Sequence, residues 1–205
     1  HWNFVRQSLS ELQEALVPHN TRILIARSEA LPFFEELQEH FRLTGLYSHW
    51  ETGVGRTFQR DLELASYLKS VGIPWREYQQ NGVIRGLSDR KAWTAAWHRY
   101  MDQPLANISW AEARFLEQGA VADLESYMGA ESLEGAEPAR FQPGGRKAAI
   151  AYLNSFFEYR LMDYNRHISK PEEARRSCSR LSPYLAWGNL SVREVFQKLE
   201  SYRKE

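Results

Sequence analysis

The stretch SCSRLSPYLAWGNLSVREV, residues 177–195, carries the strongest signal of a binding site in this chain. Its polar groups stand just before Pro183, whose fixed φ favours the first turn of a helix. They are the hydroxyls of Ser177, Ser179 and Ser182 and the guanidinium of Arg180. A helix start with Ser182 as its N-cap offers unpaired N–H groups, so this cluster suits a phosphate or pyrophosphate. Ordinary helix capping by the same residues is the alternative interpretation.

Apolar periodicity predicts that the last third of the chain is helical. Six residues advance by three and four positions, which predicts one continuous helix of about six turns. They are Ile150, Leu153, Phe157, Leu161, Tyr164 and Ile168. Ser191 and Glu194 form a capping box before a final helix that carries Val195 and Leu199 on one face.

The first hundred residues alternate short apolar runs with helical periodicity, the pattern of βαβ units and a parallel sheet. Strands are predicted at 22–26 (RILIA), 43–49 and 73–79. An amphipathic helix opens the chain, and later helices are assigned the N-caps Ser28 and Ser88. Gly72 supplies a left-handed helix end before the third strand.

Proline, glycine and glutamate become frequent after Met101, which indicates a connector between two domains. One helical island is predicted inside it, opened by a capping box of Ser109 and Glu112 and closed by Gly119. The predicted organisation is an α/β domain over 1–101, a connector over 102–144 and an all-helical domain over 145–205.

Composition excludes several classes of protein. The 205 residues contain 26 basic and 26 acidic side chains, and no apolar run approaches the ~18 residues of a membrane span. The single cysteine, Cys178, cannot form an intramolecular disulfide, which favours a reducing compartment and a cytoplasmic location. The six histidines have no metal-ligand spacing, so no metal is expected. Zero net charge argues against nucleic-acid binding by bulk electrostatics and leaves room for a local site.

The segment CSRLSPYLAWGNLS closely resembles the TSxLSPYLxxG motif that opens the flavin-binding domain of the photolyase and cryptochrome family. FVRQSLSELQEAL, RTFQRDLELASYLKSVGIPWREYQQNGV and GRKAAIAYLNSFFEYRLMDY resemble further segments of that family, so the resemblance covers nearly the whole chain. It implies a Rossmann-like antenna-type domain, without its first strands, followed by the start of an all-α FAD-binding domain. We therefore expect an incomplete segment that is inactive alone.

The resemblance also implies a cofactor site. In the family, a Tyr of the long helix and the Thr-Ser-x-Leu-Ser run hold the phosphates and ribityl chain of FAD. The matching residues are Tyr164, Cys178, Ser179, Arg180, Leu181 and Ser182. Cys178 departs from the family's Thr, and a thiol is the weaker hydrogen-bond donor. No catalytic residue of the family falls within this segment.

Other side chains carry weaker signals. Glu51, Arg60 and Asp61 could face an antenna chromophore of the folate or deazaflavin type, with solvated charges as the alternative. The basic cluster of Arg175, Arg176 and Arg180 could contact DNA phosphate or stand in solvent. Trp93 and Trp97, four residues apart, are interpreted as the packed face of a helix.

The function that the resemblance implies is a FAD-dependent, light-driven DNA photolyase. Such an enzyme repairs cyclobutane pyrimidine dimers by photoinduced electron transfer, so its partner is DNA containing those dimers. A cryptochrome-type blue-light photoreceptor with the same flavin site is one alternative. A nucleotide-binding α/β module without light chemistry is another.

Overall fold

The computed structural model describes residues 1–129 and 141–204. The elements in chain order are helices α1 (Trp2–Leu16) and α2 (Ala30–His40), strand β1 (Leu46–His49), α3 (Gly55–Ser70), β2 (Trp75–Tyr78), α4 (Trp93–Met101), α5 (Gln118–Met128), α6 (Arg146–Ser155), a π-helical turn (Phe156–Arg160), α7 (Leu161–His167), α8 (Pro171–Ser177), α9 (Ser182–Ala186) and α10 (Val192–Tyr202). One compact unit combines His1–Ile23, Met101–Phe115 and the described part of Ser132–Glu205. The other combines Leu24–Tyr100 with the described part of Leu116–Glu131.

The second unit is built around one βαβ motif. Strands β1 and β2 pair in parallel, in a register that sets Leu46 opposite Trp75, and α3 forms the crossover between them. Leu64 and Leu68 of α3 are buried with Ile73 at the centre of this motif. Gly72, at φ 74°, ends α3 in the left-handed conformation that the sequence predicts.

The α/β interpretation holds only in reduced form, because the described residues are mostly helical and contain a two-stranded sheet. Residues 22–26 make no strand there: Ala26 forms an isolated bridge, and the Ile23 N–H donates to the Gln13 side chain at 2.9 Å. The apolar RILIA run predicts burial, but a strand also needs a neighbouring ladder. Ser28 and Ser88 cap no helix, since α2 follows Glu29 and Asp89 accepts the capping bond of a 3-10 turn at Arg90–Ala92.

The predicted helical island is wrong in position. Residues 110–112 form turns, and the helix of this region is α5, which contains Gly119 and ends at Gly129 with φ 69°. Glu112 follows Ser109 with capping-box spacing, but no helix continues from it. The Ser109 and Glu112 pattern therefore forms only a turn. A helix also needs an apolar face for packing, and that face begins later, in α5.

The first of the two units, which we call the helical unit, has one main core. The stripe predicted between Ile150 and Ile168 is helical from Arg146 to His167, with a π-turn in its middle. Buried residues of this run pack with three residues that follow it: Leu181, Tyr184 and Leu190. The capping box is confirmed, since Ser191 Oγ accepts from the Glu194 N–H at 3.1 Å and Glu194 Oε2 from the Ser191 N–H at 2.8 Å.

Helix α1 supplies the N-terminal caps of α6. Gln7 Oε1 accepts from the Gly144 N–H at 2.7 Å, and Ser8 Oγ accepts from the Gly145 N–H at 3.0 Å. The Glu11 carboxylate accepts from the Lys147 N–H at 3.0 Å. These side chains satisfy N–H groups that a helix start leaves unpaired, and the Glu11 charge also matches the helix dipole.

A second tie joins the starts of α6 and α10. Arg146 Nη2 lies 2.5 Å from Glu194 Oε1, and Arg146 Nη1 donates to the Asn189 carbonyl at 3.1 Å. Burial alone would raise the pKa of Glu194, but hydrogen bonds from Arg146 and Ser191 outweigh it and hold that pKa below its ordinary value. The Arg146 pKa is raised, first by its hydrogen bond to Glu194.

Gly144→Ala is expected to destabilise the helical unit by about 1–3 kcal/mol, the usual cost of overpacking. A Cβ at residue 144 would lie 2.0 Å from the Phe4 carbonyl oxygen, so α1 would have to move away from α6. The thermal unfolding midpoint of the full natural protein measures the effect. Gly119→Ala is the control, because a Cβ there meets nothing within 4 Å. Equal midpoints for both variants would contradict the close approach of α1.

Glu194→Gln is expected to lower the free energy of unfolding by about 1–3 kcal/mol at neutral pH. Because the folded-state pKa is depressed, this contribution is complete above the unfolded Glu pKa of about 4.3 and disappears as pH falls through the folded value. Thermal unfolding of wild type and variant, measured across that range, should therefore converge in acid. Glu200→Gln removes an exposed ion pair with Arg203 and should change stability by less than about 1 kcal/mol.

Candidate functional site

The residues singled out by the 177–195 motif line a single pocket. It has a volume of about 230 Å³ and is bounded by α7, α8 and the loop that joins α8 to α9. All six candidate cofactor residues contribute to its wall: Tyr164, Cys178, Ser179, Arg180, Leu181 and Ser182. Ile168, Ala174 and Ser177 complete the lining. The pocket is smaller than the roughly 300–1,000 Å³ of a whole-ligand site, so it suits part of an extended ligand.

Residues 178–182 form one edge of this pocket, which we call the rim. Arg180 has φ 58°, a left-handed conformation that costs a non-glycine residue about 1–3 kcal/mol. Its carbonyl accepts from Gln142 Nε2 and its Nη2 donates to the Arg175 carbonyl, each at 2.8 Å. The Leu181 N–H donates to Ser179 Oγ at 3.4 Å. These bonds hold the rim in a conformation that its sequence alone disfavours.

Ser182 is not the helix cap that the sequence predicts. It is the first residue of α9, whose N-cap position is held by Leu181 without any side-chain capping bond. Pro183 occupies the first turn as expected. Because α9 has only five residues, its dipole is short, and anion binding at the rim would depend on side-chain hydroxyls and local N–H groups.

Tyr164 forms the opposite wall of the pocket. Its ring is partly buried against the main core and meets the Phe156 ring edge-to-face at 5.6 Å. The residue therefore combines the two roles that its position on the apolar stripe allowed, since it packs on the core and also lines the pocket.

Arg160 is a residue of the site that the sequence did not single out. Its Nη1 donates to the Cys178 carbonyl at 2.7 Å, and its Nη2 donates to Ser155 Oγ at 2.7 Å. Burial is the main cause that lowers the pKa of Arg160 from its ordinary value. The sequence carries no local signal of this role, because the Cys178 carbonyl lies 18 residues along the chain from Arg160.

His167 ties the two helices behind the pocket together. Its Nδ1 lies 3.2 Å from Ser177 Oγ, and its Nε2 lies 3.0 Å from Glu173 Oε2. Ser177 is buried and also donates to the Glu173 carbonyl at 3.3 Å. The third hydroxyl of the motif is thus engaged in joining α7 to α8.

The candidate antenna residues lie together in the α/β unit. Arg60 Nη2 is 2.6 Å from Asp61 Oδ1 and 3.5 Å from Glu51 Oε2, while Glu51 also accepts a short hydrogen bond from the Gly53 N–H. The charges of these three side chains are thus paired with one another.

The basic cluster is exposed at all three positions, Arg175, Arg176 and Arg180.

Trp93 and Trp97 do not form a buried helix face. Their rings are 5.9 Å apart, but Trp93 is 38% exposed and its Nε1 donates to the Gly82 carbonyl at 3.0 Å. Tyr100 and Met101 are the buried residues of α4. Indole rings keep one polar edge, and here that edge holds Trp93 at the surface.

Residues 1–129 and 141–204 lack two kinds of feature. No helix there has the length and apolar character needed to cross a bilayer. Within the same residues, no three His, Cys, Asp or Glu side chains are grouped so that they could hold a metal ion.

Comparison with known proteins gives two informative matches. The chain is 26% identical to Cryptochrome-2 of Gallus gallus over 228 residues, which cover 99% of this chain and 38% of the relative. The structure superposes with a TM-score of 0.61 on a bacterial class III photolyase from Agrobacterium tumefaciens, at 16% identity, over 95% of this chain and 43% of that one. No family model matches.

The chain spans less than half the length of either protein. The structural match establishes a shared fold, and the alignment with the cryptochrome runs through nearly the whole chain, including the 177–195 motif. In both sequence and fold, the chain is similar to proteins of the photolyase and cryptochrome family.

Proposed function

We propose that this chain contributes part of the FAD site of a light-driven DNA photolyase that repairs cyclobutane pyrimidine dimers. The convergence of Tyr164 and the five motif residues 178–182 on one pocket carries the proposal. Tyr164 on α7 and the run at 178–182 come from separate segments of the chain, so their meeting at one pocket does not follow from sequence adjacency. The resemblance to the photolyase and cryptochrome family suggests FAD as the ligand.

The pocket fits a portion of FAD better than the whole molecule. Ser179 and Ser182 supply hydroxyl donors, while Ile168, Ala174 and Leu181 supply an apolar floor. This mixture suits the diphosphate and ribityl part, which is extended, anionic and rich in hydroxyls. FAD, when bound, supplies the light-driven electron transfer. The chain's own residues would hold it by hydrogen bonds from the rim and by contact with Tyr164.

Cys178 tunes the rim without removing its donors. Its carbonyl is already occupied by Arg160, and its thiol is a weak donor beside the pocket. The hydroxyls of Ser179 and Ser182 are therefore the groups in this segment that would donate most strongly to phosphate oxygens. These two hydroxyls are therefore the groups whose removal tests the proposal.

A blue-light photoreceptor of the cryptochrome type is the second candidate. The observation that favours it is the sequence match itself, since the aligned relative is a cryptochrome. Both candidates would use the same rim and the same cofactor. They differ in whether dimer-containing DNA is a substrate.

Replacing Ser179 and Ser182 together by Ala in the full natural protein is expected to weaken FAD binding about a hundred-fold or more. Each lost hydroxyl contact to a charged group is worth about 1.5–3 kcal/mol. Flavin fluorescence titration of the cofactor-depleted protein measures the change. Ser201→Ala, an exposed hydroxyl on α10 outside the pocket, is the matched control. Unchanged affinity in the double variant would favour a nucleotide-binding α/β module without light chemistry.

The full natural protein with bound FAD is expected to split cyclobutane dimers in a short DNA only when illuminated with blue light. Chromatography of the dimer-containing strand before and after illumination measures repair, and a dark sample and an undamaged strand are the controls. Bound flavin that responds to light without any repair would favour the photoreceptor. Absence of flavin after reconstitution would reject both candidates.

A further inference from the structure

We propose that Arg160 is a positioning residue that fixes the separation of the pocket's two walls, Tyr164 on α7 and the rim at 178–182. The inference deepens the proposed flavin site and rests on it for the identity of the ligand. The positioning itself is a property of the chain and can be measured without any ligand.

The guanidinium joins the rim to the long helix directly. Nη1 donates to the Cys178 carbonyl at 2.7 Å, while Nη2 donates to the Tyr152 carbonyl at 2.9 Å and to Ser155 Oγ at 2.7 Å. Tyr152 and Ser155 lie on α6, whereas Cys178 begins the rim, 18 residues along the chain from Arg160. A planar group with five donors can bridge them, whereas a lysine ammonium has no such fork.

The same guanidinium is coupled to the opposite wall through an aromatic ring. Its Cζ lies 5.8 Å from the centroid of Phe156, within the range of a cation–π contact. Phe156 is buried and meets Tyr164 edge-to-face at 5.6 Å. Both walls are therefore fixed relative to one side chain, by a hydrogen bond on one side and by ring packing on the other.

The π-turn explains why this residue reaches the rim. Arg160 closes the turn Phe156–Arg160, and an inserted π-turn redirects the side chains that follow it relative to a regular helix. All the hydrogen-bond acceptors of Arg160 are neutral carbonyl or hydroxyl groups. Among the described residues, no carboxylate accepts from Arg160, so its loss would leave partly buried acceptors unpaired and no stranded anion.

The test uses hydrogen exchange and FAD affinity in the full natural protein. Arg160→Gln removes the fork and the charge, and Arg160→Lys keeps the charge but loses the fork. Arg166→Gln is the matched control, since Arg166 lies two turns further on, is 75% exposed and pairs only loosely with Asp163 at 3.8 Å. Exchange is followed by mass spectrometry in the flavin-depleted protein for peptides covering 178–182, with α10 peptides as the internal reference.

Arg160→Gln is expected to speed exchange of the rim amides about ten-fold, with α10 unchanged, and to weaken FAD binding by a similar factor. Arg160→Lys should recover less than half of the loss on a logarithmic scale, because charge without the fork cannot bridge the acceptors. Rim exchange that matches wild type, or that rises equally in Arg166→Gln, would overturn the inference. Faster rim exchange in a protein that binds no flavin would leave Arg160 as a positioning residue and reject the proposed function.

Discussion

The helical unit depends on the close docking of α1 against the start of α6. Gly145 precedes α6 and offers no capping side chain, so the unpaired N–H groups of its first turn are satisfied by α1 instead. The approach is possible because residue 144 has no Cβ, and the Phe4 carbonyl occupies that space. A helix whose caps come from about 137 positions away in sequence cannot reach its final position before the chain has closed that loop.

Sequence reasoning succeeded where the signal was local and repeated. The stripe from Ile150 to Ile168 predicted the long helix, and the Ser191 and Glu194 spacing predicted a capping box that the structure contains. It failed at 22–26 and at Ser109, where a short pattern had no partner to complete it. Strand pairing and helix packing are non-local. The composition of one segment can indicate that it is apolar, but it does not identify the strand or helix that the segment packs against.

The candidate site also contains residues that local patterns predicted and a residue that they did not. The motif and the stripe named six residues that line one pocket, because motif spacing and helical periodicity both report where a side chain lies. The prediction of Ser182 as a cap was wrong because proline is accepted in the first turn of a helix at more than one position. Here Pro183 is the second residue of α9, so Ser182 is the first and not the cap. Arg160 was missed because its acceptors include a carbonyl 18 residues away, which no local pattern encodes.

The rim shows why such long-range ties matter for chemistry. Arg180 holds a left-handed backbone that an arginine adopts at a cost of about 1–3 kcal/mol, so the isolated loop would relax out of it. The Arg160 bond to the Cys178 carbonyl and the Gln142 bond to the Arg180 carbonyl oppose that relaxation from two sides. A site held open in this way is preorganised before a ligand arrives, and binding energy is then not spent on ordering the loop. The strained backbone of Arg180 and the partly buried Arg160 guanidinium therefore belong to one preorganised rim.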